Sequence, residues 1–281
     1  MTCVTVELSN DRFGKLTLER EVKLVDFADV AVRGVVTDRP VADGSIDETR
    51  YTSGRAVTLA LTAYDRATAN AVMRFASPRY RTRLQVAGLT NWPTVWGMVR
   101  GDGHRPEFEP ETHHAGVTPI AAPFYLPDGV MYGVEKVQTI TRPAGILPDS
   151  GRGYNLTHNR FYGYEPATGS PFAENVGTAP TYPIVTIRGP ITGPRLINID
   201  TGQAVIFEPT FTIPGGEFVR IDMRTSSVTA NGLAGESRLQ FVQLHLSRFF
   251  AIDPIGNRLR LESESFAAPA RAELDYYPAY L

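Results

Sequence analysis

The run ENVGTAPTYPIVTIRGP, residues 174–190, decides the fold of the second half of this chain. Pro180 and Pro183 precede the apolar residues 184–187, and a Gly-Pro pair follows them at 189 and 190. Proline fixes φ and biases the preceding residue toward extended geometry, so the chain enters residues 184–187 already extended. The pattern predicts a strand over 184–187 that ends abruptly at the Gly-Pro pair.

The sequence after this run alternates between apolar and polar residues. Segments 207–213 and 217–223 are separated by Pro-Gly-Gly, which predicts a hairpin with one buried face. Asn231-Gly232 is a second hairpin signal. Further strands are predicted at Phe241–Leu246, Arg258–Glu262 and Ala270–Tyr276. About six or seven short strands at regular spacing are typical of an antiparallel sandwich.

The first half shows the same alternation with one exception. Strands are predicted at Leu16–Leu18, Val22–Val25, Val30–Val36, Ala56–Leu61, Arg83–Val86 and Val95–Val99. The exception is a short helix over about residues 65–77, for which Asp65 is the expected N-cap and Pro78 the stop signal. Its apolar residues recur at helical spacing and are expected to pack into a core: Ala69, Val72, Met73 and Ala76.

The clearest domain boundary lies in residues 142–159, RPAGILPDSGRGYNLTHN, where turn residues replace the periodic pattern. We therefore expect domains at residues 1–148 and 149–281. The polar segment Arg39–Arg50 is expected to be a loop or a projecting hairpin. The predicted fold class is all-β with one short helix, arranged as two β-sandwich domains.

Composition excludes several classes of protein. Of 281 residues, 42% are hydrophobic and 21% charged, as in ordinary globular proteins. A net charge of −2 gives no footprint for nucleic acid or anionic membrane, and no apolar run approaches the roughly 18 residues of a membrane span. The single cysteine, Cys3, permits no intrachain disulfide or thiolate metal site. Because the N-terminus lacks signal-peptide features, we expect synthesis and folding in a cytoplasm.

A cluster of metal-ligand residue types lies between residues 102 and 114. Its members are Asp102, His104, Glu107, Glu109, Glu111, His113 and His114. Two prolines separate them and no helix or HExxH spacing fixes their geometry, which favours a solvated loop over a metal site. We predict no metal and no cofactor.

No catalytic motif is supported. Residues 148–153, PDSGRG, are similar to the GDSGG of trypsin-like proteases, but the positioned histidine and the bracing disulfides are absent from the sequence. A glycine-rich linker is the favoured interpretation. No nucleotide-binding or hydrolase signature occurs. The prediction is that the chain is not an enzyme and has no catalytic, cofactor-binding or metal residues.

Aromatic residues leave a sugar-binding hypothesis open. Trp92 and Trp96 are expected to share one face of a strand and to fill the first core. Tyr276, Tyr277 and Tyr280 form either a surface cluster or a final strand pinned to its sandwich. Because acidic residues abound, a glycoside hydrolase stays a third hypothesis, the weakest of those considered.

Most of the chain resembles siphophage distal tail proteins, the Dit family, most strongly from Asn175 onward. The segments that carry the resemblance occur in that family's order: 174–190, ITGPRLINIDTGQAV (191–205), IPGGEFVRIDM (213–223), VTANGL (228–233), SRFFAIDPIGNRLRLES (247–263) and AELDYYPAYL (272–281). Upstream, SGRAVTLAL (53–61) and the helix resemble the family's N-terminal ring domain. AAPFYLPDGVMYG (121–133) also resembles a segment near that domain's end, although its Pro-Asp pair is displaced to 127–128.

The resemblance implies a structural virion protein at the distal end of a phage tail. N-terminal domains are expected to form a homohexameric ring around a channel, and C-terminal galectin-like sandwiches to project outward. The expected partners are other copies of the chain, the tail tube protein, the tail-tip hub protein, and the tape measure and receptor-binding proteins. Nucleic acid is expected only within the channel, and no membrane is involved. The alternative is a tail-tip module that binds a cell-wall glycan.

Overall fold

The structure is a computed structural model that describes residues 4–29, 32–33, 36–38, 45–47, 51–90, 92–102, 107–108, 117–145, 170–231 and 235–281. The chain divides into two compact units, Met1–Val134 with Ala279–Leu281, and Glu135–Pro278. The sequence analysis places the division later, between residues 148 and 149. The two differ because the strand Val137–Thr141 pairs with Arg271–Tyr276, a long-range pairing that has no local signal.

The chain is built almost entirely of short strands. The strands before Val134 are β1 (Thr5–Asn10), β2 (Gly14–Leu18), β3 (Val22–Phe27), β4 (Val32–Arg33), β5 (Val36–Asp38), β6 (Ser45–Asp47), β7 (Tyr51–Thr52), β8 (Arg55–Ala63), β9 (Arg81–Ala87), β10 (Val95–Gly101), β11 (Glu107–Phe108), β12 (Thr118–Leu126) and β13 (Met131–Gly133). Helix α1 (Arg66–Phe75) lies between β8 and β9. The later strands are β14 (Val137–Thr141), β15 (Pro143–Gly145), β16 (Phe172–Asn175), β17 (Ile184–Arg188), β18 (Ile191–Thr192), β19 (Arg195–Asn198), β20 (Ala204–Ile206), β21 (Thr212–Ile213), β22 (Phe218–Asp222), β23 (Ser227–Ala230), β24 (Ile255–Ser263), β25 (Ser265–Phe266), β26 (Arg271–Tyr276) and β27 (Ala279–Tyr280).

The first unit is organised around one sheet with the strand order β2-β1-β9-β10-β12-β8-β3. Side chains alternate across the sheet because successive residues of a strand point to opposite faces. One face lines a single core that includes Leu8, Leu59, Leu84 and Phe124, all fully buried. The other face remains outside this core. In β9 and β10, the residues that point to this other face are half-buried or exposed.

Helix α1 forms where the sequence predicts it. The Asp65 carboxylate accepts a hydrogen bond from the backbone N–H of Thr68 at 2.6 Å and caps the helix, and this bond lowers the pKa of Asp65. Ala69, Val72 and Phe75 are buried in the core of the first unit. The predicted N-cap and the termination before Pro78 are confirmed. Of the predicted core residues, Ala69, Val72 and Ala76 are buried, whereas Met73 is only half-buried.

The segment after β3 forms an antiparallel hairpin before the chain returns to β8. Strand β4 pairs with β7 and β5 pairs with β6, which continues the pairing of β3 with β8 along the chain. Within the predicted polar excursion 39–50, residues 45–47 form β6; residues 39–44 and 48–50 lie outside the described residues. A hairpin, one of the two forms predicted for this segment, is therefore present.

The second unit is a sandwich of two sheets, β14-β26-β17-β22-β23 and β15-β24-β19-β20, the second also carrying β16 on β24. The short sheet β21-β18-β25 lies beside them in the same unit. All these pairs are antiparallel except β15 with β24. The inward residues of both main sheets meet in one core that contains Val185, Leu196, Ile221 and Leu261.

The run 174–190 contributes β17, the central strand of the sheet β14-β26-β17-β22-β23. Strand β17 pairs with β26 on one side and β22 on the other, and its Val185 and Ile187 are fully buried. After it, the backbone of Gly189 lies so close to the carbonyl oxygens of Ile213 and Pro214 that an added Cβ atom would clash. Only glycine fits this position. The predicted strand and its abrupt end are confirmed.

Two predicted elements of the second unit are wrong. Residues 207–213 and 217–223 do not form a hairpin with each other, because β21 pairs with β18 whereas β22 pairs with β17 and β23. Residues 241–246 are not a strand: a 3-10 helix, Leu239–Phe241, runs into turns there. For 207–213 and 217–223 alternation correctly indicates which side chains are buried, but it does not specify the pairing partner. For 241–246 it also misplaces the buried side chains, since Val242 is buried whereas Leu244 and Leu246 are exposed. The fold class, all-β with one short α-helix among the described residues, is confirmed.

Candidate functional site: a groove in the second unit

The segments that the sequence analysis considered as catalytic or metal-binding candidates lie mostly outside the described residues. This holds for Cys3, for the protease-like residues 148–153, and for the metal-type cluster except Asp102 and the backbone of β11. Within the described part of the chain, no group of three or more His, Cys, Asp or Glu side chains is placed to hold a metal ion. No described helix is long and apolar enough to cross a membrane.

The candidate binding site is a groove of about 430 Å³ in the second unit. Its apolar wall is formed by Phe211, Phe218 and Phe241. Phe211 stacks between Phe207 and Phe241, with ring centroids 5.1 Å and 4.8 Å away. Phe207 is buried, whereas Phe211 and Phe241 are only half-buried. The stack therefore extends from the core to the surface of the unit.

Backbone hydrogen bonds between distant segments hold this wall together. The N–H of Glu208 donates to the carbonyl of Phe241 at 2.8 Å, and the N–H of Gly193 donates to the carbonyl of Phe211 at 2.8 Å. A turn at 208–211 is closed by the N–H of Phe211, which donates to the carbonyl of Glu208 at 3.0 Å. The aromatic wall is thus supported by the sandwich and does not depend on side-chain packing alone.

Charged side chains lie around the same groove. The lining includes the exposed carboxylates Glu208 and Glu217 and the half-buried Arg238. Arg238 also forms an ion pair with Glu236, Nη1 to Oε2, at 3.1 Å. Carboxylates accept hydrogen bonds and a guanidinium donates them. Together with the aromatic wall, these groups are suited to bind a ligand that has both an apolar surface and polar groups, and nothing in the arrangement resembles an activated nucleophile.

The two tryptophans, predicted to share one face, do not. Trp92 packs against the first core, with its ring centroid 5.1 Å from that of Phe27. Trp96 lies on the opposite face of β10 from the buried Val95 and is 5.3 Å from the Tyr132 ring. The prediction fails for Trp96 because β10 begins only at Val95, so the alternation does not extend back to residue 92.

The C-terminal tyrosines are largely structural. Tyr276 is 2% exposed and its hydroxyl donates to the carbonyl of Glu174 at 2.8 Å. Burial raises the pKa of Tyr276, and burial also raises the pKa of Tyr280, which is 8% exposed in the first unit. Of the two predicted alternatives, strands pinned to their units are confirmed for these two residues. An exposed tyrosine platform for a sugar is thereby excluded at these two positions.

Comparison with known proteins identifies the second unit more closely. Residues 176–280 match the family model described as the siphovirus-type tail component, C-terminal domain. The predicted resemblance to siphophage distal tail proteins is therefore confirmed. The match supports the assignment of this chain as a structural component of a phage tail. No curated protein sequence matches the chain.

One solved structure shows the same fold over nearly the whole length. The crystal structure of the Dit protein of phage SPP1, described as a paradigm of the hub adsorption apparatus in phages that infect Gram-positive hosts, aligns with 98% of this chain and 99% of its own. The TM-score is 0.62 and the sequence identity 12%. A chain of the phage P2 baseplate, in its activated conformation with calcium, aligns over 97% of both chains with a TM-score of 0.43 and 12% identity.

Proposed function

We propose that this chain, whose residues 176–280 match the C-terminal domain of siphovirus-type tail components, is a distal tail protein. In this proposal it forms a homohexameric ring at the distal end of the tail. The ring joins the tail tube to the tail-tip hub and the receptor-binding apparatus. The family match carries the proposal, and the fold shared with the SPP1 protein over 98% of the chain supports it.

The described residues suit a protein that works by assembly. A closed ring repeats one heterologous interface until the rotation closes, and such obligate interfaces bury about 2,000 Å² or more. Among the described strands, β3 ends the sheet order of the first unit and therefore offers an edge for a neighbour. The hairpin formed by β4–β7 adds backbone that is able to extend the contact. Tail tube, hub, tape measure and receptor-binding proteins are the proposed further partners.

The test is the mass and symmetry of the purified full-length protein. Native mass spectrometry should give six copies, and negative-stain images should show rings with a central opening. Antibodies against the chain should label the tip of intact tails. A chain that stays monomeric even with its tube and hub proteins, and is absent from tails, would exclude this function.

We also propose that this chain does not turn over a substrate. The third hypothesis, glycan hydrolysis, requires a general acid and a second carboxylate flanking the bond to be cleaved. The test is incubation of the isolated chain with purified cell walls. We expect no release of reducing sugar, and measurable release would contradict the proposal.

The groove in the second unit favours one second candidate, the binding of a host cell-wall glycan. Aromatic rings present apolar faces to sugar rings, and Glu208, Glu217 and Arg238 are placed to hydrogen-bond hydroxyl groups. Glycan-array binding by the wild type, lost in Glu217→Gln and retained in Glu174→Gln, would support it. Glu174 is an exposed carboxylate on β16 and does not line the groove. Absence of wild-type binding to any glycan would exclude this candidate.

A further inference from the structure

Three arginines and three aromatic residues lie together on the outer face of the sheet in the first unit. We call this surface the basic-aromatic face; its members are Arg81, Arg83, Trp96, Arg100, Tyr125 and Tyr132. They face outward because residues between them in the same strands, such as Thr82, Leu84, Val95 and Val99, are buried in the opposite direction. The strand register places Arg81 beside Arg100 and Trp96 beside Tyr132.

The side chains of this face are stacked on one another. The guanidinium of Arg83 lies over the ring of Trp96 at 4.4 Å, and the guanidinium of Arg100 lies over the ring of Tyr125 at 5.3 Å. The indole N–H of Trp96 donates to the carbonyl of Gly133 at 2.9 Å. Such contacts hold long side chains in place before any partner arrives, which reduces the entropy lost on binding.

Within the described residues, these arginines have no carboxylate partner. None of the ion pairs found there includes Arg81, Arg83 or Arg100, and all three are exposed. The acidic residue on neighbouring β1, Glu7, is held by Lys15 at 2.6 Å. The face is positive although the whole chain carries a net charge of −2.

The residue types indicate a protein partner in preference to a nucleic acid. Arginine, tryptophan and tyrosine dominate the energetic centres of protein interfaces. Met98, which is 37% exposed, lies in the same strand between Trp96 and Arg100 and adds apolar surface. Single-stranded nucleic acid needs free ring faces on which bases stack, but here guanidinium groups already cover faces of Trp96 and Tyr125.

The first unit also carries an acidic surface at another place in the sheet. It surrounds the end strand β3 and contains Glu19, Glu21, Asp26 and Asp29. No ion pair within the described residues includes any of these four carboxylates. Arg20 and Lys23 lie among them, which leaves two negative charges in excess. Leu24, on β3 itself, is 58% exposed and supplies an apolar contact.

We propose that the basic-aromatic face of one copy binds the acidic β3 edge of the next copy. The two surfaces are different and lie on separate strands of the sheet, so the contact is heterologous and repeats around a ring. Opposite charge specifies the orientation, and the stacked aromatic residues supply the buried area. This inference rests on the ring proposed above and identifies the surface that closes it.

The test compares charge variants of the full-length chain. Arg83→Glu should lower the association constant between copies by about tenfold or more, measured by mass photometry over a dilution series. Arg66→Glu is the matched control, because Arg66 is an exposed arginine in α1 of the same unit with no aromatic or acidic contact of its own among the described residues. Asp26→Arg should weaken association in the same way. Combining Arg83→Glu with Asp26→Arg should restore part of the loss, which a folding defect would not do.

The outcomes separate this inference from the proposed function. Rings that form equally well in Arg83→Glu, Arg83→Gln and Arg66→Glu would overturn the assigned face and leave the ring intact. A wild-type chain that is monomeric alone, yet is incorporated into tails, would overturn the contact between copies but not the tail function. A third result, tight and salt-sensitive binding of duplex DNA that Arg83→Glu abolishes, would assign the face to nucleic acid and overturn the inference. Equal thermal unfolding of the variants checks that all are folded.

Discussion

Asn257 braces the turn that begins at Asp253. The Oδ1 atom of Asn257 accepts a hydrogen bond from the backbone N–H of Asp253 at 2.8 Å, and its Nδ2 atom donates to Asp253 Oδ2 at 3.2 Å. Between them, Ile255 has a φ of 84° and a side chain that is 81% exposed. A β-branched residue in this left-handed region is strained. These two hydrogen bonds therefore hold the turn around a strained isoleucine whose side chain buries little apolar surface.

Replacing this isoleucine should stabilise the protein. Ile255→Asn is expected to raise the free energy of unfolding by about 1 kcal/mol, because asparagine tolerates positive φ and little buried area is lost. Urea unfolding measures the change. Ile140→Asn is the control, since Ile140 is also exposed but lies in the extended strand β14. A variant at 255 no more stable than the wild type would show that no strain is stored there.

Asn175, in the run 174–190, should be essential to the stability of the second unit. It is fully buried, donates to the carbonyls of Ala179 at 2.9 Å and Ile252 at 3.2 Å, and accepts from the N–H of Gly177 at 3.1 Å. Asn175→Ala leaves buried groups unpaired and should cost about 3 kcal/mol. Chemical denaturation of this variant should be compared with that of Glu174→Ala, an exposed neighbour. Equal stabilities would mean that water replaces the lost bonds.

Gly101 should tolerate no side chain. An added Cβ atom would overlap the backbone carbonyl of Ala76, where the end of β10 passes the end of α1. Gly101→Ala is expected to destabilise the first unit by about 3 kcal/mol, since backbone atoms cannot move aside as a flexible side chain can. Thermal unfolding measures this. Gly215→Ala is the control because its nearest neighbour, Pro190, would be 3.8 Å away.

Stability should depend on pH through Glu273. Burial alone would raise its pKa, but hydrogen bonds from Arg188 at 3.1 Å and Arg271 at 2.7 Å outweigh burial and hold the pKa below its ordinary value of 4.5. A carboxylate whose pKa is lower in the folded than in the unfolded state stabilises the protein above the unfolded-state pKa. That stabilisation is lost as pH falls through the folded-state pKa. Glu273→Gln should therefore be less stable than the wild type at pH 7. The difference should shrink below about pH 4.

Urea unfolding of both proteins at several pH values measures that difference. The wild type should lose stability on acidification more steeply than Glu273→Gln. A difference between the two proteins that stays constant from neutral to acidic pH would show that the arginine contacts do not act through the carboxylate charge.

The elements with strong local signals were predictable. Helix α1 has a capping aspartate, a helical apolar period and a following proline; the structure shows the cap and the end as predicted, and Ala69 and Val72 of the predicted face are buried. Strand β17 has two prolines before it and a glycine after it that no other residue replaces. These signals act within a few residues of the chain, so the sequence contains them completely.

The candidate sites were not predictable in the same way. The groove joins Phe211, Phe218 and Phe241, which the sequence analysis placed in a hairpin and a strand that do not form. The basic-aromatic face joins β9, β10, β12 and β13. Its only sequence signal was Trp96, which the pattern assigned to the core. Both sites depend on strand partners that are distant in the chain.

By itself the sequence determined the class of the fold, the single α-helix of the described residues and the positions of most strands. Alternation and the backbone restrictions of proline and glycine are local, and they act before any partner is present. Only the tertiary structure decided that β14 joins the second unit, that Trp96 faces outward and that three arginines lie together with no ion-pair partner among the described residues. Pairing brings together residues far apart in the chain, and an alternating pattern fits many partners equally well.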